Sequence, residues 1–147
     1  DQICGDIARP ETLGAAEQLA MANRSPVFMY KFSLEASIQN RQIGSAHTID
    51  LPFIFGNIEK APELIDNNPA NLRVMNQMMQ TWANFARSGR PSAKGLESWP
   101  AFDLTHRHTM VFDRDTKVLA DPDKLDRLAL NTFQPYIPGS PINYWQD

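Results

Sequence analysis

Between Asn68 and Pro91 the sequence carries the full punctuation of one long helix, and this constrains the fold more than any other stretch. Asn68 can accept a hydrogen bond from a free N–H of the first turn. Pro69 suits the first helical position, where its missing N–H costs nothing. Leu72, Met75, Met79, Trp82, Phe85 and Ala86 recur at helical spacing and fall on one face. Ser88-Gly89 stops the pattern, and Pro91 follows. The spacing predicts a helix over 69–88 whose Met and aromatic stripe packs into a core.

Around it lie shorter elements. Leu13, Ala16, Leu19 and Ala20 predict a helix over 11–22, opened by Pro10 and broken by Asn23-Arg24-Ser25-Pro26. Val27 to Phe32 is an apolar, aromatic run that reads as a buried strand. A helix followed by such a strand is the repeating unit of a parallel α/β sheet. Residues 33–69 are loop-rich, yet Leu51-Pro52-Phe53-Ile54-Phe55 is apolar enough to fold back onto the core. Phe53 and Phe55 read as core or cleft-wall aromatics, core being the first reading. Two apolar runs, 109–112 and 117–120, flank Asp113-Arg114-Asp115-Thr116, which predicts a β-hairpin. A short helix with Leu125, Leu128 and Leu130 apolar is expected over 122–133. The Pro-rich segment 134–147 reads as an extended tail.

Composition removes several function classes. The 147 residues carry a formal charge of −3, without a long basic or acidic run. Nucleic acid and an anionic membrane surface therefore find no support as partners. No apolar run is long enough to span a bilayer. Cys4 is the single cysteine, so no disulfide closes within the chain. The chain starts at Asp1 without an initiator Met or a signal pattern, as a processed or excised piece would; a mature chain after signal removal would look the same. No compartment follows from these features.

No Gly-x-Ser-x-Gly elbow, phosphate loop, dinucleotide fingerprint or His-Glu-x-x-His motif occurs. His106 and His108 flank Arg107 in a polar link and read as solvated loop residues. Such a pair can bind metal, but no third ligand stands out nearby, and neither a metal nor a cofactor is expected. His47 is different. It sits in a loop beyond a predicted strand, where open α/β sheets gather their catalytic groups.

The residues around His47 carry a resemblance. Gly44, His47, Asp50, Leu51, Phe53, Ile54, Phe55 and Gly56 stand in register with a segment shared by the type-B carboxylesterases. That segment reads Gly-x-x-His-Gly-x-acidic-Leu/Ile-x-Phe-Val/Ile-Phe-Gly. Thr48 replaces the second glycine, a position where glycine permits positive φ and threonine does not readily. Trp82-Ala83-Asn84-Phe85-Ala86-Arg87-Ser88-Gly89-Arg90-Pro91 resembles a second block of the family. Trp99-Pro100-Ala101-Phe102-Asp103 with Met110-Val111-Phe112 resembles a third. Order and spacing agree over nearly the whole chain to about residue 133.

The resemblance implies an α/β fold: the C-terminal section of an α/β-hydrolase. It would supply the last central strand, the histidine loop, a long helix and a small edge hairpin, with residues 1–133 forming this part of the domain. It implies a small-molecule ester substrate and a serine esterase mechanism. His47 would be the general acid/base, and Asp50 would support its loop from behind. Imidazoles titrate near neutrality, which suits taking and returning a proton. Chain order in these hydrolases is Ser, acid, His, so nucleophile and acid are expected upstream of residue 1, in an N-terminal portion of the same hydrolase. Ser45 lacks the strand-turn-helix elbow of a nucleophile. Two other readings stand beside this one: a cholinesterase-like interaction protein without activity, and an inert fragment.

Overall fold

The computed structural model describes the backbone of residues 2–36 and 44–133, and the side chains of 12–36 and 44–129. The tail expected over 134–147 lies outside the described residues. Helix α1 runs Gln2–Ala22, strand β1 Met29–Phe32, helix α2 Leu51–Ile54, helix α3 Pro69–Ser88, strand β2 His108–Phe112, strand β3 Lys117–Ala120 and helix α4 Lys124–Phe133. A 3-10 turn at Ile58–Lys60 follows α2. α1 starts well before the expected Glu11 and continues through Pro10.

The three strands form one sheet in the order β1-β2-β3. β1 pairs parallel with β2, Met29 opposite Thr109 and Phe32 opposite Phe112. β2 pairs antiparallel with β3, as the hairpin signal predicts. The parallel pair is joined by a crossover containing α3, the usual requirement for parallel neighbours. β2, flanked on both sides, is buried over Thr109–Phe112. β1 is only half-buried, and Tyr30 is exposed, contrary to the fully buried strand expected there. Among the described residues one edge of β1 has no neighbour.

The caps of α3 form as its sequence dictates. Asn68 Oδ1 accepts from the N–H of Asn71 at 2.9 Å. Gly89 adopts φ 69 and donates its N–H to the carbonyl of Phe85 at 2.7 Å. The deepest face is displaced from the expected stripe. Asn71, Val74, Met78 and Thr81 are buried, Leu72, Met75 and Trp82 flank them, and Met79 and Phe85 are exposed. A buried polar residue is tolerated once bonded: Asn71 Nδ2 donates to the carbonyl of Asp66. An apolar-only count misses such positions.

Val74 and Met78 meet Phe53, Ile58, Ile65, Met110 and Phe112 in one core. Each fully buried aromatic, such as Phe53 or Phe112, contributes roughly 2–3 kcal/mol relative to exposure. The apolar run 51–55 thus folds onto the core through Phe53, but Phe55 points outward and is 71% exposed. Trp99 packs edge-on against both Phe28 and Phe112. Phe102 is buried and its N–H donates to the carbonyl of Val27, locking the link before β2 to the body.

Ion pairs fix the two flanking helices. Glu17 of α1 is buried against Arg107, while Leu19, expected on the apolar face, is exposed. Lys31 of β1 pairs with Asp123 just before α4, and Arg127 of α4 pairs with Asp121. Leu125 and Leu128 of α4 are exposed rather than buried. No helix among the described residues is long and apolar enough to cross a membrane.

Candidate functional site

The loop after β1 returns to the strand it left. Ser33 N–H donates to the carbonyl of Phe112, and Ala36 N–H to that of Gly44. Ser45 Oγ then donates to the carbonyl of Phe32 at 3.0 Å. The hydroxyl of Ser45 therefore serves to hold the loop against the end of β1.

His47 opens a run of tight turns over 47–50 that leads directly into α2. Ile49 N–H donates to the carbonyl of Ala46, and Leu51 N–H to that of Thr48. Ala46 packs against the core and Ile49 is buried within it. With residues on both sides anchored inward, the intervening His47 side chain is exposed. Within the described residues its ring makes no hydrogen bond. It lines neither the hollow of about 290 Å³ walled by Leu13, Tyr30, Phe102 and Arg127 nor the one beside Pro91 and Trp99.

Thr48 has φ 66, the left-handed conformation anticipated for the glycine it replaces. A β-branched residue there is strained by about 1–2 kcal/mol. Its Oγ1 donates to the carbonyl of His47 at 2.6 Å. Gly44 and Gly56, at the two ends of the segment, also have positive φ. At Gly56 a Cβ would meet only the flexible end of the exposed Met79 side chain, which can move aside, so it is the positive φ that calls for glycine.

Asp50, half-buried, accepts a hydrogen bond from Tyr30 Oη at 2.8 Å. Burial foremost, then the Asp50 carboxylate, pushes the Tyr30 phenol well above its ordinary titration, so it remains a donor. Asp50 thus bonds back to β1 rather than to His47. Tyr30 went unremarked in the sequence. Its only signal was its place in a strand whose far end meets the loop, and that proximity appears only once the chain has folded.

The second histidine cluster also differs from expectation. His106 lies in a turn with its side chain 62% exposed, but His108 is the first residue of β2 and its side chain is only 27% exposed. Asp103, passed over in the sequence, joins the two. Its Oδ2 lies 3.2 Å from His106 Nδ1 and 3.9 Å from His108 Nδ1.

Comparison with known proteins places the whole arrangement in context. The profile of a family described as Carboxylesterase family matches residues 4–131. Human cocaine esterase is 32% identical over 136 residues, covering 76% of this chain and 23% of that protein. Para-nitrobenzyl esterase of Bacillus subtilis is 26% identical, with 76% and 23% covered. Among solved structures, an esterase of Clostridium hathewayi, described as able to hydrolyze aliphatic aromatic polyesters, superposes with a TM-score of 0.69. It shares 31% identity and is covered over 76% of this chain and 22% of its own. A carboxylesterase of Geobacillus stearothermophilus superposes with a TM-score of 0.64 at 31% identity, with 78% and 24% covered. The chain spans about a quarter of the length of the curated relatives it matches.

Proposed function

This chain belongs to the carboxylesterase family and folds as part of an α/β-hydrolase; from that premise we propose that it is the C-terminal portion of a serine carboxylic-ester hydrolase, with His47 as general acid/base. The observation that carries the reading is the presentation of His47. An exposed imidazole stands on a loop beyond a strand, held by Ser45 on one side and by Ile49 and Asp50 on the other. A ring so placed is free to meet a hydroxyl group brought by another part of the fold.

In this mechanism a serine from the N-terminal portion attacks the ester carbonyl while the imidazole takes its proton. The tetrahedral intermediate collapses, and the same imidazole hands that proton to the departing alcohol. Water then repeats the sequence on the acyl-enzyme, with the imidazole first removing a proton from water and then reprotonating the serine. An acidic residue from the same N-terminal portion would orient the ring. Asp50 acts one step back: its bond to Tyr30 fixes the turn that aims His47.

Two features support a need for that N-terminal portion. β1 keeps a free edge among the described residues, and an unpaired edge is a template for another strand. Leu19, Met21, Leu51, Phe55 and Leu125 also expose large apolar surfaces. The substrate proposed is a small-molecule carboxylic ester.

The deciding experiment is His47→Ala in the full-length protein, assayed on para-nitrophenyl acetate with folding checked by circular dichroism. Turnover is expected to fall by several orders of magnitude. A folded variant with near-normal turnover would refute the assignment.

A further inference from the structure

The link before β2 assembles a second cluster that ester hydrolysis does not use. Asp103, His106 and His108 each offer a ligand atom, and the three atoms lie within 4.8 Å of one another. The backbone brings them together. Arg107 N–H closes a turn onto the carbonyl of Asp103, and Arg107 itself takes φ 53, which bends the chain between the two histidines. The two imidazoles consequently stack, their centroids 5.2 Å apart and planes within 14°.

The Asp103 carboxylate is already oriented. Its Oδ1 accepts the N–H groups of Thr105 at 2.7 Å and His106 at 2.6 Å, while Oδ2 is within hydrogen-bond distance of His106 Nδ1 at 3.2 Å and faces His108. Outer hydrogen bonds of this kind are what fix a ligating carboxylate in metal sites. His108 Nδ1 is buried yet has no hydrogen-bond partner. A buried ring nitrogen facing a carboxylate at 3.9 Å is too far for a hydrogen bond but not for a shared ion.

The spacing suits a small cation. A tetrahedral zinc with bonds of about 2.0–2.1 Å sets its ligand atoms about 3.3–3.4 Å apart. The two separations from Asp103 Oδ2, 3.2 and 3.9 Å, bracket that edge, and with all three atoms within 4.8 Å of one another the side chains would have to draw in around an ion. Two imidazoles and one carboxylate match zinc-type divalent ions rather than calcium or magnesium, which prefer all-oxygen shells.

The geometry points to a surface site for a divalent zinc-type metal ion at Asp103, His106 and His108, with a fourth position open to water. It lies in the link and the first residue of β2, so a bound ion clips the hairpin to the link that precedes it. The site is independent of His47 and of the esterase reading.

Titration of Co²⁺ into the full-length protein, with Zn²⁺ as competitor, tests it. One equivalent is expected to bind in the micromolar range, with visible absorption typical of a low-coordinate N/O site, and to be displaced by Zn²⁺. Asp103→Asn and His106→Ala are each expected to weaken binding at least tenfold. The His106 side chain is largely exposed, so its removal leaves folding intact and keeps the test decisive. Unchanged binding in both variants, loss of binding in Cys4→Ser instead, or no saturable binding below millimolar metal would each overturn the assignment.

Discussion

Tyr30 on β1 donates its phenolic hydrogen to Asp50 Oδ2 at 2.8 Å, tying the strand to the turn that begins with His47. The two residues are twenty apart in sequence, and the bond closes the loop between them at its far end. If this tether aims the imidazole, Tyr30→Phe should lower kcat for ester hydrolysis several-fold with little change in KM. Asp50→Asn, which keeps an acceptor, should lose less than Asp50→Ala. Equal loss in Asp50→Asn and Asp50→Ala, or a change confined to KM, would show that the tether does not act through ring placement.

The same bond has a pH signature. The Tyr30 phenol titrates above its ordinary value of 10.0 in the folded protein. The folded state therefore holds a proton that the unfolded chain gives up above pH 10. The contribution of Tyr30 is full below pH 10 and is lost as pH rises toward the folded-state value. Partial exposure limits its size to about 1 kcal/mol. Denaturant melts at pH 8 should separate wild type from Tyr30→Phe by that amount, and melts at pH 11 should separate them less. A gap that widens with pH would contradict the reading.

Thr48 pays for its place beside His47 with left-handed backbone geometry. Thr48→Gly should raise stability by about 1 kcal/mol, somewhat reduced by the entropy of a glycine in the unfolded chain. Thr48→Ala, which retains a Cβ, should gain less. Thermal melts of the two variants settle the order; a glycine variant less stable than the alanine variant would mean that the Thr48 hydroxyl outweighs the strain.

Gly56 is constrained by φ 68, while the neighbouring end of the Met79 side chain is flexible and exposed. Gly56→Ala should destabilise by more than about 1 kcal/mol. Adding Met79→Ala should recover little of that loss, since the cost lies in φ rather than in the movable thioether. A large recovery in the double variant would show instead that the Met79 thioether is held in place and clashes.

Much of this was legible in the residues alone. Asn68, Pro69 and Gly89 set both ends of α3, and Asp113 to Thr116 marked the hairpin. Such signals work because a cap or a turn is decided by a few adjacent residues. The His47 segment and the blocks after it also identified the family, since their order and spacing survive independently of packing. Positions decided by remote partners were less legible. Leu19 and Phe85 look like core residues from periodicity, yet both are exposed; Ala16 is buried as its spacing suggests, but Glu17, Val74 and Met78, which the apolar count passed over, take the other buried places. Glu17 is buried because Arg107, ninety residues later, neutralises it.

Sequence by itself determined α3 with both its caps, the hairpin, the family and the histidine worth testing, because each of these is written in neighbouring residues or a contiguous motif; it did not reveal α2 or the early start of α1. Tertiary structure alone decided that Asp50 answers to Tyr30, which face of α3 goes deepest, and that Asp103 meets two histidines across a left-handed turn. Burial and convergence depend on what the folded chain brings alongside a residue, and local spacing carries no record of that.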